Sequence, residues 1–203
     1  MENKDQKQLI VKTACDLFFR LGIRSVSIDD ICHELGMSKK TFYVYFVSKD
    51  ELIAQLLQAN IDYMSAKTEE VLAQEDFRLL VSDVVKKMRE KEGQNDVRRV
   101  PQLVFDLKKY YPRQFEQFQL KAFEAQKHYI TRFLERGMTN GLVRANLNIK
   151  LTALLFAKIY ADALRDLEVM EEHGYNMAQL TQTAMDVCIR GVLSEEGLKL
   201  YNI

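Results

Sequence analysis

Proline and glycine are scarce in this chain of 203 residues, with two prolines and eight glycines. So few breakers argue for mostly helical structure. Cysteine is scarcer than a disulfide framework needs. Cys15, Cys32 and Cys188 are odd in number, far apart and free of Cys-x-x-Cys spacing, so they read as small apolar residues of a reducing compartment. Charge of one sign is missing too. Lysine plus arginine and aspartate plus glutamate number 29 each, so bulk electrostatics announce no polyanion, and any nucleic-acid footprint must be local. No apolar run reaches membrane-spanning length; the best, Leu151 to Leu164, contains Lys158 and Asp162. The N-terminus has no apolar signal core. A cytoplasmic protein with no membrane partner is expected.

Enzymatic constellations are also lacking. His33, His128 and His173 show no metal-ligand spacing with one another or with the cysteines. There is no Gly-x-Ser-x-Gly, no phosphate-binding glycine loop and no nucleophile–base pair. The expectation is a non-enzyme with no catalytic residue, no cofactor and no metal. Asp162, Asp166, Glu168, Glu171 and Glu172 read as a solvated helix face, and Lys86-Lys87-Met88-Arg89, offset by Glu90 and Glu92, as surface.

What the chain does have is one local pattern repeated in Val26-Ser27…Ile31, Met37-Ser38…Phe42 and Val47-Ser48…Leu52. Each serine is placed to N-cap a helix, its hydroxyl accepting from an orphan backbone N–H. Each flanking apolar pair has staple spacing, and Asp30 and Glu51 stand at capping-box distance from Ser27 and Ser48. Three helices therefore start close together. The middle one, Ser-Lys-Lys-Thr-Phe-Tyr-Val-Tyr-Phe, is short, basic and aromatic, and it follows the tight turn at Gly36. Phe42 and Phe46 share one face and belong to the core with Phe18 and Ile31. Lys39, Lys40 and Tyr43 are then left outward, with Thr41 and Tyr45 at the flanks. This is a helix-turn-helix read from periodicity, and such a helix suits a major groove.

Around it, a first helix spans roughly Asp5–Leu21, ended by Gly22, and a second about Ile28–Leu35. A long fourth helix from Ser48 toward Ala73 carries the stripe Leu52, Ile53, Leu56, Leu57, Ile61 and Met64. Further helices are expected at about Phe77–Glu90, Val97–Tyr110, Pro112–Asn140, Leu151–Glu172 and Met177–Val192, with breaks at 93–96, Tyr111-Pro112, Gly141 and Gly174.

The run Gly36 to Leu52, with Ser27-Ile28-Asp29-Asp30-Ile31-Cys32 upstream, resembles the signature of the tetracycline-repressor-like (TetR) family of bacterial regulators over about the first 55 residues. A weaker echo lies at Gly137-Met138-Thr139-Asn140-Gly141-Leu142-Val143-Arg144. Lys40 stands where the family often has glycine, Val44 where histidine or tyrosine is common, and Asn146 where aspartate is common. The first two departures bear on which operator is read, not on DNA binding. The resemblance implies an all-α chain: a helix-turn-helix DNA-binding domain in residues 1–50, joined by a long helix to an effector-binding and dimerisation domain in 51–203.

The expected function is that of a one-component regulator, a repressor that binds a palindromic double-stranded DNA operator as a homodimer and is released by a small-molecule effector. The alternatives are a ligand-independent regulator or activator on the same fold, or a helical small-molecule-binding protein that has lost DNA binding. Candidate DNA contacts are Ser27, Ser38, Lys39, Lys40, Thr41, Tyr43, Tyr45 and Lys49. Candidate ligand-pocket residues are Phe105, Tyr111, Phe115, Phe118, Phe123, His128 and Tyr160. Candidate dimer-interface residues are Ala153, Ala157, Ala161, Leu180, Ala184, Val187, Cys188 and Gly191.

Overall fold

The computed structural model describes residues 2–82, 100–165, 172–175 and 177–201. Among them the architecture is all-α: α1 (Glu2–Leu21), α2 (Ile28–Glu34), α3 (Lys39–Tyr45), α4 (Lys49–Leu72), α5 (Val100–Tyr110), α6 (Pro112–Thr139), α7 (Ile149–Arg165), α8 (Met177–Val192) and α9 (Glu195–Tyr201). Residues 77–82 are helical as well. The expected helical stretches 83–90 and 166–171, the break at 93–96 and the start at Val97 lie outside the described residues, as does the side chain of Leu180.

The chain forms two compact units. One comprises Met1–Tyr63 with Arg98–Leu120, the other Met64–Val97 with Lys121–Ile203. The sequence puts the division at residues 50 and 51; in the structure α5 groups with the N-terminal helices.

In the first unit, α1 buries Ile10, Ala14, Leu17 and Phe18, and α4 buries Leu52, Ile53, Leu57 and Ile61. Gly22 ends α1 at φ +86°, a left-handed conformation that costs an L side chain about 1–2 kcal/mol. Its N–H closes the last turn on the Phe18 carbonyl at 2.9 Å. Gly36 makes the second tight turn at φ +60°.

The caps follow the sequence with two changes. Ser27 and Asp30 form the full reciprocal box on α2, and Ser38 Oγ accepts the Thr41 N–H at 3.1 Å. At α4, Ser48 Oγ accepts the Glu51 N–H at 3.1 Å. The Glu51 carboxylate, however, reaches one residue further back than a capping box, taking the Val47 N–H at 2.8 Å. The Val47–Leu52 staple does not form. Phe46 is extended, at φ −141° and ψ 125°, and points inward. Successive side chains of an extended backbone point oppositely, so Val47 is 79% exposed.

In the second unit, Phe77, Leu80, Val81, Leu142, Leu193 and Tyr201 form the core, with Phe133 and Ile189 packed against it. The Gly137 carbonyl accepts from the N–H groups of Leu142 and Val143, turning the chain after α6. There is no room beside Gly137 for a larger residue, since a Cβ would sit 2.4 Å from Val143 Cγ2. Arg136 holds the end of α4 through the carbonyls of Leu72 and Gln74, and Arg132 pairs with Glu69 at 2.6 Å. The final helix α9 is absent from the sequence reading. Val143 and Leu193 form an isolated antiparallel bridge just before it. No described helix is long and apolar enough to cross a membrane.

Candidate nucleic-acid interface

The site is built on α3, which stands on its aromatic underside. Phe42 and Phe46 are 0% and 1% exposed, with ring centroids 5.6 Å apart. Tyr43 sets its ring edge-on to Phe42 at 5.7 Å and remains half exposed. Burying two phenylalanines at i and i+4 turns the opposite face outward. Lys40, Thr41 and Val44 lie on that face and are exposed, Tyr43 is exposed at one flank, Tyr45 is half-buried at the other, and Lys39, three residues before Phe42, is exposed at the first turn.

The hydroxyls and cations of the expected contact set are engaged to different degrees. Ser38 is exposed and spends its hydroxyl on the cap and on Thr41 Oγ1 at 2.9 Å. Ser27 is likewise exposed but holds Asp30. Both keep their places at helix starts without free hydroxyls. Lys39 pairs with Asp29 of α2 at 2.8 Å, both side chains exposed. Lys40 makes no ion pair among the described residues. Lys49 is turned away from this face. Its Nζ donates to the carbonyls of Ile23 and Val26, each at 2.5 Å, and lies over the Phe18 and Tyr111 rings at 5.4 and 5.9 Å. Burial pulls its pKa below the usual lysine value, opposed by the charges of Asp106, Asp30 and Asp50. With Phe46 and Leu52 packed inward, the first turn of α4 faces the connection after α1, where these carbonyls lie.

Asp106 and Arg24 belong to this neighbourhood, and sequence reasoning missed both. Asp106, on α5, is 3% exposed, the lone buried charged side chain among the described residues. Its carboxylate accepts the Arg24 backbone N–H at 3.1 Å and Gln102 Nε2 at 3.1 Å. The Arg24 guanidinium lies over the Tyr110 ring at 5.1 Å. Beside these contacts a half-open cleft of about 430 Å³ separates the end of α1 from α5, lined in part by Phe18, Phe19, Phe105 and Asp106.

The expected ligand-pocket residues divide between the units. Phe105, Tyr111, Phe115 and Phe118 fall in the first, Phe123, His128 and Tyr160 in the second. Phe115 is buried and Phe105 is 40% exposed. The cleft beside α1 takes Phe105 and none of the other six. Lys109 covers the Phe105 ring at 5.2 Å and Lys127 the Phe123 ring at 5.6 Å. His128 is exposed on α6, 4.0 Å from Glu69. Tyr160 is half-buried, and burial raises its phenol above the ordinary value.

The expected interface residues divide by burial. Ala153 and Ala157 are 0% and 1% exposed in the single chain. They are covered within the chain itself, on the helix α7 that lies against α8, and leave no exposed surface. Ala161, Ala184 and Cys188 are half-buried, whereas Val187 and Gly191 are exposed. On α7 the exposed apolar residues are Leu151, Leu154 and Leu155. Cys15, Cys32 and Cys188 are free thiols whose pKa values burial pushes up.

Residues 10–56 match the family described as bacterial regulatory proteins, tetR family. The chain is 39% identical over 59 residues to the uncharacterized HTH-type transcriptional regulator YuxN of Bacillus subtilis, a segment that is 29% of this chain and 20% of that protein. Thus the alignment spans about a fifth of that relative's length. Similar folds occur in a putative transcriptional regulator from Saccharomonospora viridis in complex with choline, at TM-score 0.68 and 20% identity, covering 95% of this chain and 100% of that one. A putative TetR-family transcriptional regulator from Mesorhizobium loti also has TM-score 0.68, at 13% identity, covering 96% and 100%. The matched segment runs from within α1 through α2 and α3 to the first turns of α4, so the helix-turn-helix of this chain is similar to that of the tetR family of bacterial regulatory proteins.

Proposed function

We propose that the chain is a one-component transcriptional repressor whose homodimer binds a palindromic DNA operator and releases it when a small molecule binds. One observation carries the DNA-binding part. After a tight turn, α3 keeps Lys40, Thr41 and Val44 on the face opposite the buried Phe42 and Phe46, with Tyr43 exposed at its flank and Lys39 exposed at its first turn. Lys40, Lys39 once released from Asp29, and the Thr41 and Tyr45 hydroxyls suit phosphate oxygens, and Tyr43 and Val44 suit base edges and thymine methyls. Ser27 and Ser38 enter as the caps that fix α2 and α3.

Dimerisation is proposed through the exposed faces of α7 and α8, where Leu151, Leu154, Leu155 and Val187 are exposed large apolar groups. Two modules about 34–36 Å apart then read the two halves of a palindrome. The effector part of the reading is supported by the choline carried by the Saccharomonospora viridis regulator. It is supported also by the half-buried Phe123, Tyr129 and Tyr160 of the second unit.

The test is selection of duplexes from random sequence by the full chain, followed by titration across salt concentrations. Wild type is expected to bind with a negative salt slope, and Lys40→Ala to weaken binding to every sequence and to flatten the slope by about 0.9 per lost phosphate contact. Wild-type protein that selects no duplex overturns the reading.

A further inference from the structure

The connection between α1 and α2 is held from two opposite partners on distant parts of the chain. From α5, Asp106 accepts the Arg24 N–H, and from α4, Lys49 donates to the carbonyls of Ile23 and Val26. We propose that Asp106 and Lys49 are positioning residues for DNA recognition, a two-sided clamp on Ile23–Val26 that sets where α2 begins and so how α3 is presented. The proposal rests on the DNA-binding reading above.

Three observations bear on it. The clamped segment is only four residues long, and Ser27, the cap of α2, follows it directly. Ile23 and Val26 are buried at its two ends, so their carbonyls need partners inside the protein, and Lys49 supplies them. The cleft beside Asp106 leaves the end of α1 and α5 without close packing at that point. A carboxylate hydrogen bond to a backbone N–H, stronger than a neutral one, therefore does there what side-chain packing does elsewhere in the unit. Gly22 belongs to the same device. A Cβ there would lie 3.5 Å from Asp106 Oδ2, and the positive φ lets the chain turn under the carboxylate.

A clamp and a phosphate contact predict different salt behaviour. Removing a contact lowers both affinity and slope, because one fewer counterion is released. Removing a clamp lowers affinity and leaves the slope unchanged. The experiment compares full-length wild type, Asp106→Ala, Asp106→Asn, Lys49→Met and Lys40→Ala on a duplex selected by the wild type. Amide hydrogen exchange is followed over residues 23–27.

Asp106→Ala is expected to weaken binding about tenfold or more with the wild-type slope, and to lose protection at Arg24. Asp106→Asn, which keeps an oxygen for the Arg24 N–H, is expected to recover most of that loss. Lys49→Met, which keeps the apolar stem over Phe18, is expected to weaken binding at unchanged slope. Unchanged affinity in Asp106→Ala overturns the proposal, and so does a flattened slope in Lys49→Met, which makes Lys49 a phosphate contact. Should Asp106→Ala not fold, Lys49→Met and Asp106→Asn decide by slope and exchange. Wild type that selects no duplex brings down the DNA-binding reading and this proposal together. Wild type that binds while the clamp variants match it sinks the clamp alone.

Discussion

Lys39 and Asp29 face each other across the turn of the helix-turn-helix, Nζ to Oδ1 at 2.8 Å. Both side chains are exposed, so the pair adds at most about 1 kcal/mol to the fold. Its weight falls on binding. On the proposed DNA-binding reading Lys39 exchanges a carboxylate for a phosphate, and Asp29 is itself an anion next to the proposed interface. Asp29→Asn is therefore expected to tighten DNA binding a few-fold at low salt, on the order of 1 kcal/mol, with the gain shrinking as salt rises. Anisotropy titrations of both proteins at several salt concentrations measure it. Weaker binding by Asp29→Asn would show that the pair orients Lys39 rather than restrains it.

Phe42 is the underside on which α3 rests. It is fully buried, within 5.6 Å of Phe46 and 5.7 Å of Tyr43 by ring centroid. Phe42→Ala is expected to cost about 3–5 kcal/mol, from lost transfer energy plus the cavity left behind. Urea denaturation followed by circular dichroism reads that loss. Val44→Ala, one face away and 71% exposed, serves as the control with a change near zero. Similar losses in the two variants would contradict the assignment of inner and outer faces.

The first three helices were legible in the sequence because their signals are local: a capping serine, an apolar pair and a glycine that ends each turn. Ser27, Ser38 and Ser48 each cap as their positions imply. The outward face of α3 follows from the spacing of Phe42 and Phe46 alone. What failed was whatever depends on distant chain. Lys49 reads as one more cation near the basic helix, yet its ammonium ends 2.5 Å from two carbonyls more than 20 residues upstream. Asp106 reads as an ordinary acid of an amphipathic helix, and its partner Arg24 lies 82 residues away. Ala153 and Ala157 show that small residues at helical spacing mark a close crossing without saying which helix crosses. α9 did carry a signal, since Ser194 followed by Glu195 and Glu196 is a helix start, and Ser194 Oγ accepts the Gly197 N–H at 3.1 Å.

Acid should loosen the start of α2. The Ser27 hydroxyl and backbone N–H both donate to the Asp30 carboxylate, at 2.7 Å each, and hold its pKa below the usual aspartate range. A carboxyl whose folded pKa is depressed stabilises the fold above its unfolded value, about 3.9, and that contribution is lost as pH falls through the folded value. The urea midpoint of the wild type is thus expected to fall below about pH 4 more steeply than that of Asp30→Asn, whose cap does not titrate. Parallel pH profiles would show that the box contributes nothing to stability.

Self-association decides whether one module or two engage DNA. Leu155 and Val187 are 55% and 65% exposed, so arginine at either position leaves the protomer core intact. On the proposed homodimer, the wild type is expected to sediment as a dimer and Leu155→Arg and Val187→Arg as monomers. They are also expected to lose about a hundredfold or more in affinity for a two-half-site duplex, because the second module no longer binds intramolecularly. Affinity for a single half-site should stay close to that of the wild type. Ala157→Leu provides the opposite case. Its side chain is 1% exposed, so the added bulk strains packing inside the chain and costs about 1–3 kcal/mol of stability. Dimers that survive both arginine substitutions, with tight binding retained on the paired site, would move the interface away from α7 and α8.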